Sequence, residues 1–154
     1  MASTFMPRYP VSLRGSWFGL NHEFRQRLKA LSITPVQYTT LRNICEFQGE
    51  VLNQRTLSEF VISNENNLTA ILQKLEKHGL IARKISTSDR RSKTITPTPR
   101  GKEIFKVAQV IARELEHEIL AEFSDSERET LLAGLEVCSQ KLQEIGGASG
   151  VTPR

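Results

Sequence analysis

Apolar positions along the chain follow two different periods, and the switch between them marks out its parts. Residues 1–14 place Pro7 and Pro10 among small polar residues without helical period and read as a flexible N-terminal arm. From Ser16 onward Trp17, Leu20, Phe24, Leu28 and Leu31 recur at steps of three or four, the stripe of a helix with one buried face. A sharp second start follows: Thr34 as N-cap, Pro35 at the first helical position and Gln37 closing a capping box. That helix turns Tyr38, Leu41, Ile44 and Cys45 inward and stops near Gly49. A short helix over 54–61 carries Leu57, Phe60 and Val61. Ser63 or Asn64 then caps a longer helix reaching about His78, with Gly79 placed for a left-handed C-terminal residue.

Beyond Gly79 the period shortens. Leu80, Ile81 and Ile85 predict a strand, STSDRRS a turn, and Lys93 to Thr96 the returning strand. Two helices joined by a few residues and followed by a hairpin make a helix-turn-helix with a wing. Thr98 and Pro99 open a long helix whose stripe is Ile104, Ala108, Ile111, Leu115 and Ile119, ending near Phe123. Ser124 with Glu127 forms a second capping box, and the last helix carries Leu131, Leu135, Cys138, Leu142 and Ile145. Residues 146–154, GGASGVTPR, read as a flexible tail. The fold class is mainly α with a small β-hairpin wing.

Composition removes several functions. A chain of 154 residues holds one domain with a proper core, or a smaller one with added helices. No apolar run reaches the roughly 20 residues of a membrane span, and the N-terminus lacks the apolar core of a secretory signal. Cys45 and Cys138 stand far apart, and His22, His78 and His117 are scattered, so neither a disulfide framework nor a metal site is indicated. No phosphate loop, ligand cluster or nucleophile elbow appears, so neither an enzyme nor a cofactor is expected. A reducing cytoplasm is the default location.

Charge adds a partner. Residues 53–102 sum to +6 and residues 103–154 to −5, a basic middle before an acidic end. That arrangement suits a polyanion-binding module joined to segments with another task. In the helix over 63–78, Leu68, Ile71, Leu72 and Leu75 share one face by 100° steps. The opposite face is Asn66, Ala70, Gln73 and Lys77, flanked by Asn67, Thr69 and Lys74. Amides pair two-pronged with adenine and a threonine touches a thymine methyl, which makes Asn66, Asn67, Thr69 and Gln73 the base-reading candidates in double-stranded DNA. The same face also fits an ordinary solvated helix. Arg83, Lys84 and Lys93 on the hairpin are phosphate contacts or plain solvated charges.

The run TPVQYTTL, then LTAILQKLEKHGLIARK, SDRRSK and TPRGKEIF, in this spacing, resembles the MarR family of bacterial transcription regulators over nearly the whole ordered length. The resemblance implies a winged helix-turn-helix over 34–98, with 15–33 and 99–145 as dimerisation helices of a homodimer. It further implies binding to a pseudo-palindromic operator, most often as a repressor. Arg91 or Arg90 at the wing tip would enter the minor groove while Asp89 pairs with a nearby arginine to fix the turn. Ser63, Asn64 and Lys74 complete the DNA-facing set. Relatives bind small aromatic or phenolic effectors where the dimer helices meet the DNA-binding lobe, which points to Trp17, Phe18, His22, Tyr38 and Arg42; each of these also reads as core or surface.

The chain departs from the family pattern at three positions. Ala70 stands where arginine is frequent, Ile62 where a turn glycine is common, and Pro97 before the Thr-Pro motif, where it is expected to shorten the last strand. Cys45 and Cys138 fall on apolar helical faces and read as buried structural thiols. The alternatives are a winged-helix scaffold that binds protein instead of DNA, or a thiol-based redox-responsive regulator.

Overall fold

The computed structural model of the chain describes residues 9–60, 65–85 and 92–149. Its elements are α1 (Tyr9–Leu28), a 3-10 turn (Lys29–Leu31), α2 (Pro35–Glu46), α3 (Gln54–Phe60), α4 (Glu65–Lys77), β1 (Ile81–Ile85), β2 (Lys93–Pro97), α5 (Pro99–Leu120) and α6 (Asp125–Ser149). The mainly helical fold with a two-stranded antiparallel hairpin is the winged helix-turn-helix expected from the pattern.

Both ends are more helical than expected. The 1–14 arm is already helix from Tyr9, because Pro10 lies in the first turn, where its missing N–H costs nothing. The 146–154 tail is helix through Ser149; a glycine there costs only about 1 kcal/mol, and no proline interrupts before Pro153. Apolar period marks only the buried part of a helix, and both extensions carry little of it.

The caps predicted for α2, α5 and α6 form, and the one predicted at Ser63 or Asn64 lies outside the described residues. Thr34 Oγ1 accepts from the Gln37 N–H at 3.2 Å while Gln37 Oε1 accepts from the Thr34 N–H at 2.9 Å. Gln37 is buried, and this reciprocal pair satisfies it. Ser124 and Glu127 repeat the box at α6. Gly79 ends α4 at φ +69°, and the Leu80 N–H reaches back to the Leu75 carbonyl at 2.9 Å.

Leu41, Leu57, Leu68, Leu72 and Leu75, all essentially inaccessible, form the centre of the core between α2, α3 and α4, with Ile81 and Ile95 closing it from the hairpin. Tyr38 lies between Phe24, edge-on at 5.1 Å, and Phe105, stacked at 6.2 Å, which ties α1 and α5 to α2. Gly101 allows α5 to start directly against Leu80: a Cβ at that position would stand 1.9 Å from the Leu80 carbonyl oxygen. Thr98 caps α5 by accepting from the Gly101 N–H at 3.0 Å, and its hydroxyl donates to the Gly79 carbonyl at 2.7 Å.

Pro97 does not shorten β2. It is a strand residue paired with Ile81. The Ile95 N–H faces away from β1 and donates to the Leu52 carbonyl at 2.8 Å, while the Thr98 N–H donates to Leu80 across the ladder at 3.0 Å. By strand alternation, position 97 also faces away, so the donor that proline lacks is one the ladder does not use. Asn53 adds a single bridge to Thr94 on that outer side.

The long helices leave apolar surface open. Trp17, Phe18 and Leu20 on α1, Val107, Val110 and Ile119 on α5, and Leu131, Leu132, Leu135, Val137, Leu142 and Ile145 on α6 are exposed. Across residues 125–145 of α6 no residue is buried. Arg27 links α1 to α5 through Glu118, with Nη1 to Oε1 at 2.9 Å, and also holds Glu23 one turn back.

Candidate nucleic-acid interface

The outer face of α4 is a strip of exposed Asn67, Ala70, Gln73, Lys74 and Lys77, opposite the buried Leu68, Leu72 and Leu75. Thr69 differs from its neighbours. It is half-buried, and its hydroxyl accepts a hydrogen bond from Gln54 Nε2 at 2.7 Å. Gln54 is the first residue of α3, so the bond ties the start of one helix to the middle of the next. α3 is capped by Asn53, whose Oδ1 accepts from the Thr56 N–H at 2.9 Å. The Asn66 side chain, Ser63 and Asn64 lie outside the described residues.

On the wing, Arg83 is not a solvated charge. Its side chain is 15% accessible, and Nε and Nη2 both donate to Glu76 Oε2 of α4, the first at 2.9 Å. This ion pair holds the Glu76 carboxyl below the usual carboxylate range. Lys84 and Lys93 are exposed, on adjoining rungs at the far end of the hairpin. Asp89, Arg90 and Arg91 lie outside the described residues.

The five residues of the expected effector pocket differ in their surroundings. Trp17 and Phe18 are 61% and 60% exposed on α1, and His22 is exposed below them. Arg42 is exposed and pairs with Glu46 at 2.9 Å. Tyr38 is buried in the aromatic stack, where burial raises its hydroxyl pKa above the ordinary value. A cleft of about 230 Å³ opens between Leu31, Lys77, Leu80, Arg100 and Ile104, and another of about 370 Å³ at the α5–α6 turn around Phe123 and Leu131; neither includes any of the five.

Cys45 and Cys138 are half-buried instead of buried. Burial pushes the Cys45 thiol up to about 11, away from thiolate chemistry. Among the described residues no helix is long and apolar enough to cross a membrane, and no group of His, Cys, Asp or Glu is set to hold a metal ion.

Three contacts between elements escaped the sequence pattern: Gln54 on Thr69, Glu76 on Arg83, and Thr98 on Gly79. A polar residue opening a helix and an acid facing a basic strand are the only signals the chain carries for the first two.

A helix-turn-helix whose second helix shows a polar strip, beside a hairpin with basic edges, defines the class: a winged helix-turn-helix domain. Residues 33–93 match the MarR family. Solved structures share the fold across most of the chain. A MepR–DNA complex from S. aureus superposes at TM-score 0.83 with 24% identity, over 88% of this chain and 99% of that one. A MarR protein from Peptoclostridium difficile gives 0.83 and 22% over 94% and 93%. The transcriptional regulator SlyA gives 0.79 and 22% over 89% and 96%.

Proposed function

We propose that the chain is a sequence-specific transcription regulator that binds operator DNA as a homodimer. The observation that carries this reading is the exposed strip Asn67, Ala70, Gln73, Lys74 and Lys77 on the second helix of a helix-turn-helix, with Lys84 and Lys93 beside it on the wing. Amides supply two-pronged donors and acceptors to base edges, and lysines neutralise phosphates. The fold shared with a MepR protein solved in complex with DNA supports a DNA-binding role, in which α4 is the helix that would enter the major groove.

Homodimerisation is supported by α6, which has no buried residue between 125 and 145 while presenting Leu131, Leu135, Leu142 and Ile145. These side chains are 38–56% exposed, so covering what remains of any one is worth roughly half of the about 1.5–3 kcal/mol of full burial, and a second copy set on α1, α5 and α6 covers several at once. Two copies would set their α4 helices about 34 Å apart, one turn of DNA, which matches a pseudo-palindromic operator. Such occupancy of a promoter acts as repression. A small aromatic effector would act by favouring one separation of the two lobes over another. Trp17, Phe18 and His22 become pocket-forming only when a second copy covers α1.

The test is selection of bound duplexes from genomic fragments at physiological salt, followed by anisotropy titration. An enriched inverted repeat bound at least a thousandfold above random duplex supports the reading. No enrichment over random duplex overturns it.

A further inference from the structure

The hydrogen bond from Gln54 to Thr69 decides what Thr69 has to offer a base. We infer that Gln54 is a positioning residue that withdraws the Thr69 hydroxyl from base readout, so that this position recognises thymine through its methyl group. The inference rests on the DNA-binding reading above.

A threonine in a major groove has two ways to read a base: its hydroxyl pairs with donors and acceptors of several bases, and its methyl packs only on the thymine methyl. Here the hydroxyl oxygen is held at 2.7 Å by the amide of Gln54, and the residue is half-buried against α3 while Asn67, Ala70 and Gln73 around it are exposed. The bond from Gln54 fixes which way the Thr69 oxygen points: the hydroxyl still has a hydrogen to donate, but turning it to a base means rotating the oxygen away from the Gln54 amide, at a cost comparable to the bond gained. The methyl carries no such conflict. Ala70, next in the chain and exposed, presents a second methyl at a position the family often fills with arginine. The middle of the helix therefore offers two adjacent methyl groups, flanked by the amides of Asn67 and Gln73.

Gln54 opens α3, and its main chain follows the Asn53 cap, so its side chain is aimed by the start of a helix. Without Gln54 the Thr69 hydroxyl would be free to pair with the edges of several bases, and discrimination would fall.

The experiment uses the full-length protein and a duplex selected by it from a random pool. Each thymine of a half-site is replaced in turn by deoxyuridine, which removes only the methyl group, and affinities are read by anisotropy. One position per half-site is expected to lose about fourfold, the worth of one buried methyl. Thr69→Val, which keeps a methyl in the same shape, retains that loss. Thr69→Ser, which keeps the hydroxyl and drops the methyl, is insensitive at that position. Gln54→Ala flattens the preference for thymine there while its circular-dichroism melt and its affinity for random duplex stay near wild type.

Selection of a sequence with no deoxyuridine-sensitive thymine overturns the inference and leaves the DNA-binding reading intact. So does Thr69→Ser with undiminished sensitivity, or Thr69→Val that loses specific binding altogether. Failure to enrich any sequence overturns both.

Discussion

The Thr98 hydroxyl donates to the Gly79 carbonyl at 2.7 Å and at the same time accepts from the Gly101 N–H at 3.0 Å. One side chain thus closes the end of α4 and the start of α5. Removing it uncaps α5 and leaves a helix-terminal carbonyl without its partner. Thr98→Ala is expected to lower stability by about 1–2 kcal/mol, seen as a fall of roughly 2–8 °C in thermal midpoint for a chain of this size. Thr98→Ser keeps both bonds and should restore most of the loss; a Ser variant as unstable as Ala would show that the methyl, not the hydroxyl, carries the effect.

Gly101 is a matter of space. A methyl placed 1.9 Å from the Leu80 carbonyl oxygen meets backbone, which cannot swing aside. Gly101→Ala should destabilise by about 2 kcal/mol or more, at the upper end of overpacking costs, even though alanine favours helix. Urea denaturation checks it, and an unchanged or raised midpoint contradicts the close approach of α5 to β1.

Cys45 gives a pH dependence of definite sign. Its folded pKa, about 11, stands above the ordinary 9.0, so the protonated thiol is the form that the fold prefers. The stability from this preference is present in full below pH 9.0 and is lost as pH rises through the window to about 11. At pH 8 the native protein should react with a disulfide reagent at Cys45 far more slowly than the unfolded chain. Rapid native labelling of Cys45, identified by mass spectrometry, would reopen the redox alternative.

Glu76 has the opposite sign. Its carboxyl is depressed by the Arg83 ion pair, so the contribution of the pair is present above the unfolded carboxylate range and disappears as pH falls through the lower folded value. Glu76 is partly exposed, which limits Glu76→Gln to about 1 kcal/mol or less. Its larger expected effect is on DNA: with β1 no longer anchored to α4, the wing should lose register with the groove. Glu76→Gln is predicted to weaken specific binding more than random-duplex binding.

The wing lysines separate two readings by salt. If Lys93 contacts a phosphate, Lys93→Ala lowers the slope of log affinity against log salt by about 0.9 for each half-site. A solvated Lys93 leaves the slope unchanged. Arg91→Ala is expected to weaken operator binding strongly in the same titration.

Much of the architecture was legible because it is locally encoded. The boxes Thr34–Gln37 and Ser124–Glu127 are three residues apart each, Gly79 lacks the Cβ that makes φ +69° costly, and the stripe on α4 is read directly from Leu68, Ile71, Leu72 and Leu75. What escaped is contact between elements. Thr69 was expected to face DNA, and its hydroxyl proved to be held by Gln54 fifteen positions away. Arg83 looked like one basic residue among several until α4 placed Glu76 beside it. Pro97 was read from its missing donor alone, although the direction that donor would face depends on the register with β1. The first turns of α1 carry too little apolar period to stand out in the sequence.

The outer side of β2 has a further consequence. Of the main-chain positions facing that way, 95 is spent on the Leu52 carbonyl, 97 has no N–H to give, and 93 carries a lysine. An exposed strand edge normally invites pairing with another chain, and proline and lysine are devices that prevent it. Along the described part of this edge the hairpin is a poor template for a visiting strand.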